Sequence, residues 1–367
     1  MLLFTPGPTP VPESVRQAMA TPTLHHRTPE FEVIFKEARE RLMKLFGMDE
    51  CVMIASSGTG AMQACMVNLC QQKALTVNAG KFGERFGKIA DAMGREKVEL
   101  CYEWNTPAAV EDVETALQEN GDIDAIFIQV CESAGGLRHP VEAIAKRAKE
   151  MNPDIMIVAD GITAVGVEKI DITHIDALVT GSQKALMLPP GLAMIGLSSK
   201  AVEKIGKGKD YYFNLASEIK KQRENTTAYT AATTLIIGLN AIFDEIEKEG
   251  LDGLYEATEK RAKATQAALE AIGFEMYPQT PALSMSTVYD ADAEPIRKLL
   301  KNKYGVNMAG GQDHLKGKIF RINQMGLIPV YESAWVVNAI ELALDELGRR
   351  TFDGTAGRVF NETYFKA

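Results

Sequence analysis

TGSQKALMLPPG, Thr180–Gly191, sets one lysine among small and apolar residues, directly after the run IDALV (175–179) and before a Pro-Pro-Gly turn. A lysine head is strongly hydrated, so in most such places the stem packs and the ammonium reaches water. The chemical alternative is an amine held in a pocket, where it can lose its proton and attack a carbonyl. Position alone favours the packed stem with a solvated head, so the surrounding elements have to overturn that. Short apolar runs at 51–55 (CVMIA), 74–80 (ALTVNAG), 124–130 (DAIFIQV), 155–160 (IMIVAD) and 176–181 (DALVTG) alternate with helical patterns such as AMQACMVNLC, GERFGKIADAMG and VEAIAKRAKEM. Such alternation predicts an α/β fold with a mostly parallel sheet covered on both faces. Ligands gather at the carboxyl ends of the strands in such sheets, and Lys184 stands just past one.

A chain of 367 residues, 46% hydrophobic and 24% charged, has the composition of a soluble globular protein with room for a large domain and a smaller one. The formal net charge of -9 excludes a general nucleic-acid binder, which needs a basic surface. It leaves small anionic substrates open, since one buried arginine binds a carboxylate. The opening MLLFTPGPTPVPES has no basic segment and is broken by prolines, so it does not read as a signal peptide. No apolar run approaches membrane-spanning length. Five cysteines, all within the first 131 residues and without metal-type spacing, predict reduced and mostly buried thiols, a cytoplasmic setting and no metal site. Those of CMVNLC read as core.

Residues 1–15, rich in proline, read as an extended arm. EFEVIFKEARERLMKLFGM (30–48) reads as a helix with Gly47 at its C-cap. From about 240 a long charged helical stretch is followed by strands in FEMYP, LSMSTVYD and KIFRINQMG and by the helices PIRKLLKNKYG and ESAWVVNAIELALDELG. This predicts a large domain over 16–250 and a smaller α+β domain over 251–367.

Three strand ends carry chemistry. SSGTGAM (56–62) is a small-residue turn into a helix, able to bring backbone N–H groups to a phosphate or to serve as an ordinary cap. It is neither a Walker A loop nor GxGxxG. VADGITA (158–164) ends a strand on Asp160, either an N-cap or a buried carboxylate that pairs with a protonated ring nitrogen. Lys184 follows 24 residues later. A phosphate cradle, a buried acid and a lysine are what pyridoxal phosphate (PLP) requires for its phosphate, ring nitrogen and aldehyde.

With these motifs in order, the chain resembles the class V aminotransferases of the aspartate-aminotransferase fold (PLP fold type I), nearest the alanine–glyoxylate, serine–glyoxylate and serine–pyruvate group. DGxTAVG and GSQKALxxPPG, in register, carry the resemblance, which runs from PGPT to the arginine of KIFRI. It implies that Lys184 is the Schiff-base lysine and proton shuttle, and that Asp160 pairs with the pyridine nitrogen. It implies that Thr59, Gly60, Ala61 and Gln183 hold the phosphate, and that Phe82 stacks on the ring where many relatives have Trp. Ser133 would lie near the ring oxygen, and Ile162 would cover the other face. Arg321 would take the substrate carboxylate, with Gly7 of the arm folded over the substrate. TTAYTAAT (226–233) corresponds to a segment crossing from a partner subunit, with Thr230 on the phosphate, Thr227 a weaker match, and a homodimer required. Arg85 is expected to be structural. His25, His26 and Arg27 read equally as a substrate entrance or as a solvated loop.

The implied reaction is transamination between a small L-amino acid, alanine or serine, and a 2-oxo acid, glyoxylate or pyruvate. A cysteine desulfurase is disfavoured because no cysteine follows 131. Transaminases of phosphoserine or 2-aminoethylphosphonate, and a non-catalytic subunit of the same fold, are the alternatives.

Overall fold

The computed structural model describes residues 1–366. Seven strands form the central sheet, in the order Glu50–Ile54, Ala193–Leu197, Ala177–Gly181, Met156–Asp160, Ile123–Gln129, Lys73–Asn78 and Glu96–Cys101. From Ala177–Gly181 through Glu96–Cys101 every neighbouring pair is parallel, and Ala193–Leu197 alone runs against its neighbours. Both faces are buried. Ile126, Ile128 and Ile157 enter one apolar cluster, while Ala125, Phe127 and Val158 enter a second on the opposite side. Successive side chains of a strand point to opposite faces, which is why these runs are apolar without a break.

Two of the seven strands were not apparent from the pattern. Glu96–Cys101 is an edge strand with partly exposed, charged positions, and AMIGL at 193–197 carries no mark of its reversed direction. The helix Pro29–Phe46 ends on Gly47 at φ 65°, the left-handed C-cap conformation. The long helical stretch after 240 is two helices, Thr233–Glu247 and Gly250–Ala271, parted where Gly250 turns to φ 78°.

A second sheet of five strands runs Leu2–Phe4, Val306–Gly310, Ile319–Asn323, Met285–Tyr289 and Glu275–Met276. The first three-residue strand comes from the amino-terminal arm and pairs parallel with Val306–Met308. The arm is therefore anchored in this sheet before it crosses to the larger one. A third apolar cluster, from Phe4 to Phe360, joins this sheet to the helices Val330–Glu346 and Gly250–Ala271. Among the described residues no helix is long and apolar enough to cross a membrane. Cys51, Cys65, Cys70 and Cys131 are buried and free, and Cys101 is exposed.

Candidate active site

Asp160 and Lys184 stand at the carboxyl ends of neighbouring parallel strands, where Asp160 pairs in register with Val179. The Asp160 carboxyl is buried and accepts from the Ile162 N–H at 2.9 Å. Both readings of this residue therefore meet: the turn bond exists, and it exists out of water. Burial pushes its pKa up to about 6, against the opposing pull of the Ile162 N–H and of the Arg85 and Lys184 charges.

Lys184 is pushed down to about 8, first by burial and then by the nearby Arg321 guanidinium, while Asp160 acts in the opposite direction. Its ammonium hydrogen-bonds the Pro6 carbonyl. Thr9 clamps the arm to the same loop through Thr9 Oγ1 to the Lys184 carbonyl at 2.7 Å and Thr9 N–H to the Gln183 carbonyl at 3.1 Å. Gly7 lies between these anchors at φ 105°, and a Cβ there would stand 2.6 Å from Lys184 Nζ. Only glycine meets both demands. Competitive acetylation of the apoprotein by trace acetic anhydride should show Lys184 gaining reactivity up to a midpoint near pH 8. Exposed lysines should keep rising toward their ordinary value of about 10.4. A Lys184 midpoint no lower than theirs would contradict this burial.

The helix Gly58–Leu69 starts beside this pair. Its N-cap Ser57 makes no side-chain cap bond. Ile162 packs so close to Gly58 that a Cβ would meet its Cδ1 at 2.4 Å, and one on Gly60 would strike Ser56 Oγ at 2.0 Å. The small residues of SSGTG thus let the helix start against the strand ends. Gln183 Oε1 is buried without a partner. Ala61 is buried in the same first turn.

Arg321 comes from the second sheet. Its Nη1 donates to the Ser133 carbonyl at 2.6 Å and its Nη2 to the Gly310 carbonyl at 2.7 Å. No carboxylate among the described residues pairs with it. Burial pushes its pKa down to about 10, with Glu132 pulling the other way. A buried guanidinium held only by carbonyls keeps its capacity for an anion.

Two residues of this site escaped the sequence reading. Glu132 is fully buried and accepts from the N–H groups of Phe82, Gly83 and Ala134, each at 2.9 Å, so it caps the helix Lys81–Ala92 that carries Phe82. Burial raises it to about 7, with Asp160 adding repulsion. Its place immediately before Ser133 was the available sign. Arg85, expected to be structural, hydrogen-bonds Thr59 Oγ1 at 2.8 Å and lies over the Phe82 ring, 4.6 Å from its centroid. Its spacing of three from Phe82 puts both on one helix face.

Lys184, Asp160, Ile162, Gly7 and Arg321 are thus brought together, with Thr59, Phe82 and Arg85 joined to them and to one another. Thr230 is exposed on this chain, and Thr227 is buried with its hydroxyl on the Tyr229 carbonyl. His25 and Arg27 are exposed, and Arg27 touches the Thr226 hydroxyl at 3.5 Å. The residues present fit PLP. There is a buried acid without a counter-ion of its own, a buried lysine of lowered pKa, an orphaned Gln183 amide oxygen and an uncapped helix start.

The profile of the family Aminotransferase class-V matches residues 1–325. An uncharacterized aminotransferase of Helicobacter pylori is 51% identical over the whole of both chains. A serine–glyoxylate aminotransferase of Hyphomicrobium methylovorum is 30% identical over 94% of this chain and 90% of its own. Among solved structures, an aspartate aminotransferase of subgroup IV from Thermus thermophilus superposes with a TM-score of 0.88, at 30% identity over 94% of this chain and 99% of that one. By family profile, relatives and fold, the chain belongs to the class V aminotransferases and is a PLP-dependent transaminase.

Proposed function

We propose that the enzyme transfers the amino group of a small L-amino acid, alanine or serine, to glyoxylate or pyruvate. The observation that carries this reading is Arg321, a buried guanidinium with no acidic partner among the described residues, set close enough to Lys184 to depress its pKa. Arg321 binds the α-carboxylate in a two-pronged pair. The arm closes over the lysine: a Cβ on Gly7 would stand 2.6 Å from Lys184 Nζ. The serine–glyoxylate specificity of a 30%-identical relative supports the same donor and acceptor classes.

Thr59, Gly60, Ala61 and Gln183 hold the cofactor phosphate, Asp160 its ring nitrogen, and Phe82, Ile162 and Ser133 its ring. The bound cofactor supplies an aldehyde carbon for the amine and a ring that accepts electrons from the substrate Cα. The remaining work belongs to the chain. Arg321 turns the substrate so that its Cα–H faces Lys184. Lys184 Nζ, once free, takes that proton and returns it to the cofactor side. Asp160 keeps its charge opposite a positive nitrogen, and the arm excludes water.

The same placement supports a homodimer. Thr230 is exposed, and Tyr211, 81% exposed, lies with Tyr212 and Tyr229 in an aromatic cluster whose ring centroids are 5.0–5.7 Å apart. Exposed aromatics of this kind mark protein contacts. We place residues 1–15 as the arm, 16–250 as the large domain and 251–367 as the small one. Buried free thiols suit a cytoplasmic setting.

Glycine formation from glyoxylate, assayed with L-alanine, L-serine, L-aspartate, phosphoserine and 2-aminoethylphosphonate in turn, tests the substrate class. A phosphorylated or phosphonate donor outpacing alanine and serine would overturn it. Arg321→Lys should lower kcat/KM for the preferred donor by roughly 10–150-fold, the worth of about 1.5–3 kcal/mol for a charged hydrogen-bonded pair. The loss should fall mainly on KM. An unchanged KM would remove Arg321 from carboxylate binding.

A further inference from the structure

Arg85 is a cation without a directly paired carboxylate among the described residues; its charge acts on Asp160 and Lys184 only through space. Its contacts are a neutral hydroxyl, Thr59 Oγ1 at 2.8 Å, and the face of Phe82 at 4.6 Å. Both neighbours belong to the cofactor site proposed above. The turn it touches is the start of the helix Gly58–Leu69, which offers backbone N–H groups and a dipole but no full charge. Of the other site cations, Lys184 hydrogen-bonds the Pro6 carbonyl, and Arg321, held by the Ser133 and Gly310 carbonyls, is the cation proposed above for the substrate carboxylate. A phosphate monoester carries close to two negative charges near neutrality. Among the site cations described above, Arg85 is the one in contact with Thr59.

We propose that Arg85 is a cofactor-binding residue, the guanidinium that pairs with the phosphate of PLP beside the Thr59 hydroxyl. The Phe82 face restrains the guanidinium plane, so little side-chain freedom is lost on binding. The same side chain thereby links the group holding the phosphate to the aromatic residue on the ring. A lysine in its place would keep the charge and lose the planar fork. This proposal rests on the reading of Lys184 and Asp160 as a PLP site.

The test compares PLP with pyridoxal, which has the same aldehyde and ring but no phosphate. Apoprotein is titrated with each, following quenching of protein fluorescence. Arg85→Met, which keeps an apolar stem against Phe82, should raise the Kd for PLP by roughly tenfold or more. Its Kd for pyridoxal should change less than about twofold, since no phosphate contact is lost. Arg85→Lys should fall between wild type and Arg85→Met for PLP. If Arg85→Met does not fold, Arg85→Lys still carries the comparison, because its loss must be selective for PLP. Equal losses for both compounds would make Arg85 a support for Phe82 and overturn the proposal. Unchanged affinity for both would overturn it as well. Wild-type protein that binds neither compound would overturn the reading of the whole site, and this proposal with it.

Discussion

Lys184→Ala should lower kcat by at least about 10³-fold if, as proposed, one side chain both holds the cofactor and moves the substrate proton, since acid–base work alone is worth roughly 10²–10⁴. The visible absorption of the lysine-bound cofactor should vanish in the same variant. The fold should not suffer. Burial pushes the Lys184 ammonium down to about 8, so a charged amine at neutral pH sits where it is disfavoured. Removing it should leave the thermal midpoint unchanged or raised, as scanning calorimetry of the apoprotein would show. Activity retained within tenfold of wild type would exclude Lys184 from the chemistry. A collapse of the fold together with the activity would make the lysine a packing residue.

Asp160→Asn carries the second large effect and separates the turn bond that Asp160 makes from the ring-nitrogen role proposed for it. Asn keeps an oxygen to accept the Ile162 N–H and so preserves the turn. It cannot supply a negative charge. If Asp160 serves the pyridine nitrogen, breaking a buried charged pair costs about 3–5 kcal/mol, a fall of roughly 150- to 5,000-fold in kcat. Steady-state rates for Asp160→Asn and Asp160→Glu decide this, since Glu restores charge at the expense of geometry. If the Asn variant kept most of its rate, Asp160 would be a turn residue only. The elevated pKa of about 6 bears on the apoprotein: below it the carboxyl is protonated and the charge is absent. PLP affinity should therefore weaken as pH falls below about 6 through this group.

Much of this site was legible because its chemistry follows its strands. Asp160 and Lys184 each stand just beyond an apolar run, and parallel strands put such positions side by side. Phe82, Thr59 and Arg321 came with the motifs of the resembling family. What was hidden depends on tertiary approach. Arg85 reaches Thr59 only because two helices starting from different strands converge, and no local pattern records that. Glu132 lay inside the quoted CESAGG but looked like any acid in a loop; its role comes from three N–H groups, two of them 50 and 49 residues earlier in the chain. The reversed strand Ala193–Leu197 is apolar at every position, and periodicity carries no direction. The pairing of Leu2–Phe4 with Val306–Met308 joins the ends of the chain, a contact beyond any sequence window. Thr230 is exposed on this chain, as a contact with a partner subunit would require.

The central measurement is the half-reaction. Purified protein carrying PLP is mixed, without any acceptor, with L-alanine, L-serine, L-aspartate or 2-aminoethylphosphonate, and its visible spectrum is followed. One small L-amino acid should discharge the lysine-bound cofactor band to the pyridoxamine form, and adding glyoxylate or pyruvate should restore it. A band that no amino donor discharges would contradict transamination as the work of this site.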